Sequence, residues 1–143
     1  MKKLIPLLII ILFYGCGYKP IYSSKDVLFK VDRINYDYNK INAQIARSIK
    51  TLSNDEAKKT LEINLKSSKE KKVVSKTKNG DPEIYELVIS VKISTFQVSK
   101  NFLSKQNYKN IDNKFELNQY ELEIEKQIID ELTGKILNYL TNI

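Results

Sequence analysis

Tyr85-Glu86-Leu87-Val88-Ile89-Ser90-Val91-Lys92-Ile93-Ser94 decides the fold class. Tyr85, Leu87, Ile89, Val91 and Ile93 alternate with Glu86, Val88, Ser90, Lys92 and Ser94. In an extended chain alternate side chains point to opposite faces, so this period of two predicts a half-buried strand with one apolar side. Just before it, Asn79-Gly80-Asp81-Pro82 is a turn signal in which Asn-Gly can take the positive φ of a hairpin. Upstream of the turn, residues 59–78 again alternate: Leu61, Ile63 and Leu65 share one side, and Glu62, Asn64 and Lys66 the other. That stretch turns polar over 67–72 before Val73 and Val74. Downstream, a break at 99–101 leads to a weaker strand at about 103–111.

Farther out the period changes. Over residues 38–53, Ile41, Ile45, Ile49 and Leu52 fall within one narrow arc at 100° per residue, which predicts a helix with a single packed face. Asp37 or Asn39 can cap its start. Ahead of it, at 27–34, Phe29 and Val31 alternate with Lys30 and Asp32 as in another strand. The last element is a helix over about 114–142, opened by Asn113 with Glu116 three residues on, a capping-box pattern. Gly134 interrupts it, which predicts a close approach or a kink. The order β-α-β-β-β-α predicts an α+β two-layer sandwich, with an antiparallel four-stranded sheet carrying both helices on one face.

In that last helix, Ile128, Ile129, Leu132, Ile136, Leu137 and Leu140 cover half the circumference or more, and Leu122 extends the surplus. A large aliphatic gains about 1.5–3 kcal/mol on burial, so Leu122, Ile129 and Leu137 are candidate contacts for a partner. The alternative is that the first helix covers them.

The N-terminus carries a different kind of signal. Lys2 and Lys3 precede an uncharged run over 4–14, which has the length of a secretory segment and is too short to span a bilayer. It closes on Gly15-Cys16-Gly17, and Cys16 is the single cysteine of the chain. No intrachain disulfide is then possible. A lone cysteine after a small residue at this place predicts lipidation, although Gly15 and Gly17 also fit ordinary cleavage after Gly17. The expected organisation is a signal peptide over 1–15, a lipidated tether over 16–26 with Cys16 as the acylated residue, and a domain over 27–143.

Composition excludes much chemistry. The 143 residues contain no histidine, and the cysteine is committed to the anchor. Serine–histidine, cysteine–histidine and most zinc constellations are thereby removed, and no glycine-rich phosphate loop occurs. Glu121, Glu123 and Glu125, spaced by two on a helix, read as a solvated surface. No catalytic residue, metal or cofactor is expected, and the chain is not expected to be an enzyme. A hydrolase would need carboxylates converging in a pocket. Lys and Arg number 24 against 17 Asp and Glu, a mild excess that suits an anionic lipid or, as coding bias toward lysine, no partner at all. Nucleic acid is not expected for an exported chain.

Cys16-Gly17-Tyr18-Lys19-Pro20-Ile21-Tyr22 resembles the Cys-Gly-aromatic-x-Pro-aliphatic-Tyr opening of the lipopolysaccharide-assembly lipoprotein LptE family. A second likeness lies where Asn113-Lys114-Phe115-Glu116-Leu117 runs into a helix ending Ile136-Leu137-Asn138-Tyr139-Leu140. The resemblance implies an acylated protein of the outer membrane, facing the periplasm and the lumen of the β-barrel LptD. There it would plug the barrel, assist its assembly and help deliver lipopolysaccharide to the outer leaflet. On that footing Lys69, Lys71, Lys72, Lys76 and Lys78 become candidate contacts for the phosphates of the glycolipid. Lysines on an exposed strand also block edge-to-edge pairing, so the cluster has a second explanation. The other function to weigh is a lipid-anchored scaffold of other envelope machinery that never meets lipopolysaccharide.

Overall fold

The computed structural model describes residues 29–143. The expected signal peptide, Cys16, the tether, and Val27 and Leu28 of the expected first strand lie outside the described residues. Six elements follow in order: β1 (Phe29–Tyr36), α1 (Lys40–Leu52), β2 (Lys59–Lys76), β3 (Pro82–Ser94), β4 (Ser99–Lys109) and α2 (Lys114–Thr141). The α+β class and the β-α-β-β-β-α order are those expected.

The strands lie side by side in the order β1-β2-β3-β4. β2 to β4 form the expected antiparallel meander, but β1 runs parallel to β2, from Phe29 opposite Lys59 to Tyr36 opposite Leu65. The sheet is therefore mixed, not fully antiparallel. The reason is the helix between them: a 13-residue α1 rises about 20 Å, enough to return the chain to the end where β1 began, so β2 leaves in the same direction. Alternation along a strand carries no information about its direction.

β2 is one continuous strand of 18 residues, where the polar run at 67–72 suggested an interruption. Backbone pairing to β3 carries it through that run, from Asn64 opposite Ser94 to Lys76 opposite Pro82. At the turn, Gly80 donates to the Thr77 carbonyl at 3.0 Å and Thr77 to Asp81 at 2.8 Å. Gly80 adopts φ 91°, the left-handed conformation that the Asn-Gly pair promised.

Both helices are capped by asparagine. Asn39 accepts from the Asn42 amide at 2.8 Å, and Asn113 accepts from the amides of Phe115 and Glu116 at 3.0 and 3.4 Å. The Asn113 side-chain amide also donates to the Glu116 carboxylate at 3.1 Å, closing the reciprocal pair. The core gathers Ile63 and Leu65 of β2, Leu87, Ile89, Val91 and Ile93 of β3 and Phe102 of β4 against Ile45 and Ile49 of α1 and the inner stripe of α2. An added Cβ at Gly134 would meet nothing within 4 Å, so this glycine serves no close approach.

Candidate functional site: the lysine hairpin and its carboxylate clamp

Side-chain parity divides the lysine cluster. The odd positions of β2, Leu61, Ile63 and Leu65, are buried under the helices, and Lys69 and Lys71 continue the same row. Higher on the strand the row meets the first half of α2, and there it meets acid. Lys69 forms an ion pair with Glu125 and Lys71 with Glu121. The match is geometric: residues two apart on a strand are about 6.6 Å apart, and residues four apart on a helix about 6 Å.

Glu125 is 5% exposed. Lys40, in the first turn of α1, stands 3.8 Å from its other oxygen, so the three elements converge on one carboxylate. Lys71 also lies over the Tyr85 ring, with Nζ 3.9 Å from the centroid, a cation–π contact. Tyr85 stacks on Tyr108 at 5.5 Å, and Tyr120 of α2 meets Tyr108 edge-on at 6.1 Å. The Tyr108 hydroxyl is buried without a well-formed hydrogen bond. Burial first, and then the Glu121 carboxylate beside it, push its pKa far above the usual phenol value.

The other lysines differ. Lys72 lies on the opposite parity and pairs with Glu70 at 3.2 Å, both well exposed. Lys76, at the end of β2, and Lys78, in the turn, are exposed and make no ion pair among the described residues. Of the five candidate phosphate contacts, Lys69 and Lys71 are thus committed to the domain's own helix, which is a correction to treating the cluster as one surface. Counted in steps of two, Glu121, Glu123 and Glu125 give no sign of the clamp. The usable signal was Glu121 and Glu125, one helical turn apart, against two lysines one strand period apart.

The candidate partner contacts divide too. Ile129 at 1% and Leu137 at 6% exposure belong to the core, covered by the sheet and α1, so neither offers surface to a partner. Leu122 is 40% exposed and borders a shallow hollow of about 510 Å³ with Ile41, Ser67 and Lys69. Among the described residues no group of three His, Cys, Asp or Glu side chains converges to hold a metal. None of the described helices is long and apolar enough to cross a membrane.

No family model and no curated protein matches the sequence. Solved structures do match. The domain is similar to the uncharacterized lipoprotein B from Nitrosomonas europaea, seen by solution NMR, with a TM-score of 0.65 and 18% identity over 87% of this chain and 90% of that one. The crystal structure of the rare lipoprotein B from Shewanella oneidensis gives a TM-score of 0.60 at 14% identity, over 78% and 95% of the two chains. A minor lipoprotein from Acinetobacter baumannii gives 0.55 at 12%, over 81% and 94%. At these identities the likeness shows a shared fold.

Proposed function

We propose that this protein is an envelope lipoprotein, tethered by acyl chains on Cys16 to the inner leaflet of the outer membrane. In this reading its domain plugs the LptD barrel, assists the barrel's assembly and helps pass lipopolysaccharide to the outer leaflet. Its role rests on shape and location and asks for no catalysis. Two features support it: the resemblance of the Cys16–Tyr22 motif to the LptE family, and the sharing of the fold with solved lipoproteins.

The observation that carries the glycolipid contact is the braced hairpin. Clamping by Glu125 and Glu121 fixes the middle of β2, while Lys76 and Lys78, exposed at its end, form no ion pair among the described residues. A phosphate-bearing headgroup needs cations without counter-ions, because the desolvation of a charge already paired at close range is not recovered. Lys72 is a reserve, since its exposed pair with Glu70 is worth little and exchanges readily. Mobility of the anchored domain in two dimensions would raise its effective concentration near the barrel.

The test has two arms. Pull-down from detergent-solubilised outer membrane is expected to recover a large β-barrel, and lipopolysaccharide binding by Lys76→Ser/Lys78→Ser is expected to weaken with the fold intact. Unchanged affinity rejects the glycolipid contact and leaves the plug; absence of the barrel rejects the plug. A second reading, a lipid-anchored scaffold of other envelope machinery without lipopolysaccharide binding, is favoured by one observation. Lys69 and Lys71 are neutralised internally, which takes two of the five candidate lysines away from a headgroup.

A further inference from the structure

β2 begins earlier than its partner on the β3 side ends. Its pairing to β3 starts with Asn64 opposite Ser94, so residues 59–63 have β1 along one edge and no strand along the other. The gap is spanned by the turn between β3 and β4, where the Thr95 amide donates to the Val98 carbonyl at 2.8 Å and the Val98 amide to the Thr95 hydroxyl at 3.3 Å. That closure sets Phe96 at the apex, 100% exposed, with Val98 partly exposed beside it. Beneath the turn lies a cavity of about 500 Å³ whose apolar lining is Leu61, Phe96, Val98 and Ile143.

The chain enters the domain at this same end. Phe29 is opposite Lys59, which itself lines the cavity, and the Phe29 carbonyl accepts from Asn54 at 3.1 Å. Cys16 precedes Phe29 by 13 positions, and such a span reaches at most about 45 Å. In the anchored reading, on which this inference rests, the Phe96 end is the end of the domain to which the tether joins and so can be drawn to the bilayer.

We infer that the turn 95–98, led by Phe96, is a membrane-contact tip that seats the domain on the lipid surface carrying its anchor. A phospholipid interface fits the chemistry: an aromatic ring at the apex of a hydrogen-bonded turn, an exposed aliphatic beside it, and below them a cavity whose apolar walls, Leu61 and Ile143, sit among polar Thr60, Glu62 and Gln97. Charge is not the driving term. Of Lys58, Lys59 and Lys100 on this end, two are offset by Glu56 and Glu62, and Asp55 is taken by Lys30 at 3.6 Å, which leaves an excess of one positive charge. The contact should therefore tolerate salt. Its consequence is orientation. β2 has 18 residues, so the Lys76–Lys78 end would stand on the order of 60 Å from the seated end, pointing away from the anchoring leaflet.

The sequence contains no tryptophan, so Phe96→Trp makes a single emitter at a fully exposed position. The full chain carrying it is purified from membranes with its native N-terminus and placed on phosphatidylcholine vesicles. Tyr38→Trp, 93% exposed at the far end of β1, is the control. A ring buried about 5–10 Å into the headgroup boundary is expected to shift to the blue and lose most of its intensity when the acyl chains are brominated. Trp at position 38 is expected to stay at the aqueous value. If the protein floats with the vesicles but Trp at 96 emits as in water, the tip is overturned and the anchor stands. If it shifts to the blue without bromine quenching, the ring contacts protein and the tip is again overturned. Failure to float removes the anchor and the tip with it.

Discussion

Lys69 of β2 and Glu125 of α2 form an ion pair across the helix–sheet interface, and the carboxylate is buried while the ammonium is half in water. That asymmetry sets the energetics. Removing the lysine leaves a buried charge that, among the described residues, only Lys40 at 3.8 Å answers. Lys69→Ala is expected to lower stability by about 1–3 kcal/mol, whereas the double change with Glu125→Leu recovers part of the loss because nothing charged remains buried. Urea unfolding of the two singles and the double checks this; a double mutant as unstable as the sum would mean that the residues do not interact.

Glu131 lies lower on α2 and faces β4. Its carboxylate is paired with Lys135 and accepts from the Ser104 hydroxyl at 2.6 Å. Lys135 first, then Ser104, hold its pKa below the usual carboxylate value. A group depressed in the folded state contributes stability that is full above the ordinary value and is lost as pH falls through the lower, folded one. Glu131→Gln is therefore expected to be less stable than the parent at neutral pH, with the gap closing in acid. Both partners are half exposed, so the effect is small. Urea midpoints at pH 7 and pH 3 measure it, and a gap that widened in acid would refute the sign.

Asn113 opens α2 with both halves of a capping pair. Asn113→Ala leaves the first amides of the helix without a partner and is expected to cost about 1 kcal/mol. Asn113→Asp should be nearly neutral, since its carboxylate still accepts and suits the helix dipole. Thermal melts of the two variants separate the cap from mere surface change.

The element order was legible because each segment advertises its period. Ile41, Ile45 and Ile49 recur at helical spacing, and Leu87, Ile89, Val91 and Ile93 at strand spacing, and all of them are buried. The direction of β1 was not, since Phe29 and Val31 alternate identically in either orientation. Nor was the fate of Ile129 and Leu137, because an apolar arc on α2 looks the same whether α1 or another protein covers it. The clamp hid for a third reason: Lys69 and Glu125 are 56 residues apart, and only the register of β2 against α2 brings them together. A charge run on a strand thus reads as surface until its parity is set against the helix above it.

Gly134 sits inside α2, among the buried Leu132, Ile136 and Leu137. Glycine in a helix interior is less favourable than alanine by about 0.8–1 kcal/mol, chiefly through the freedom it returns to the unfolded chain. A structural reason for keeping it would be a neighbour too close for a methyl group or a left-handed φ. Neither is present: the position is not among those with positive φ, and a Cβ there meets nothing within 4 Å. Gly134→Ala is therefore expected to raise stability by about 0.5–1 kcal/mol with the denaturant slope unchanged. A loss of stability would mean that the space beside Gly134 is filled in solution, and a gain accompanied by loss of barrel recovery in the pull-down would place a partner's surface against it.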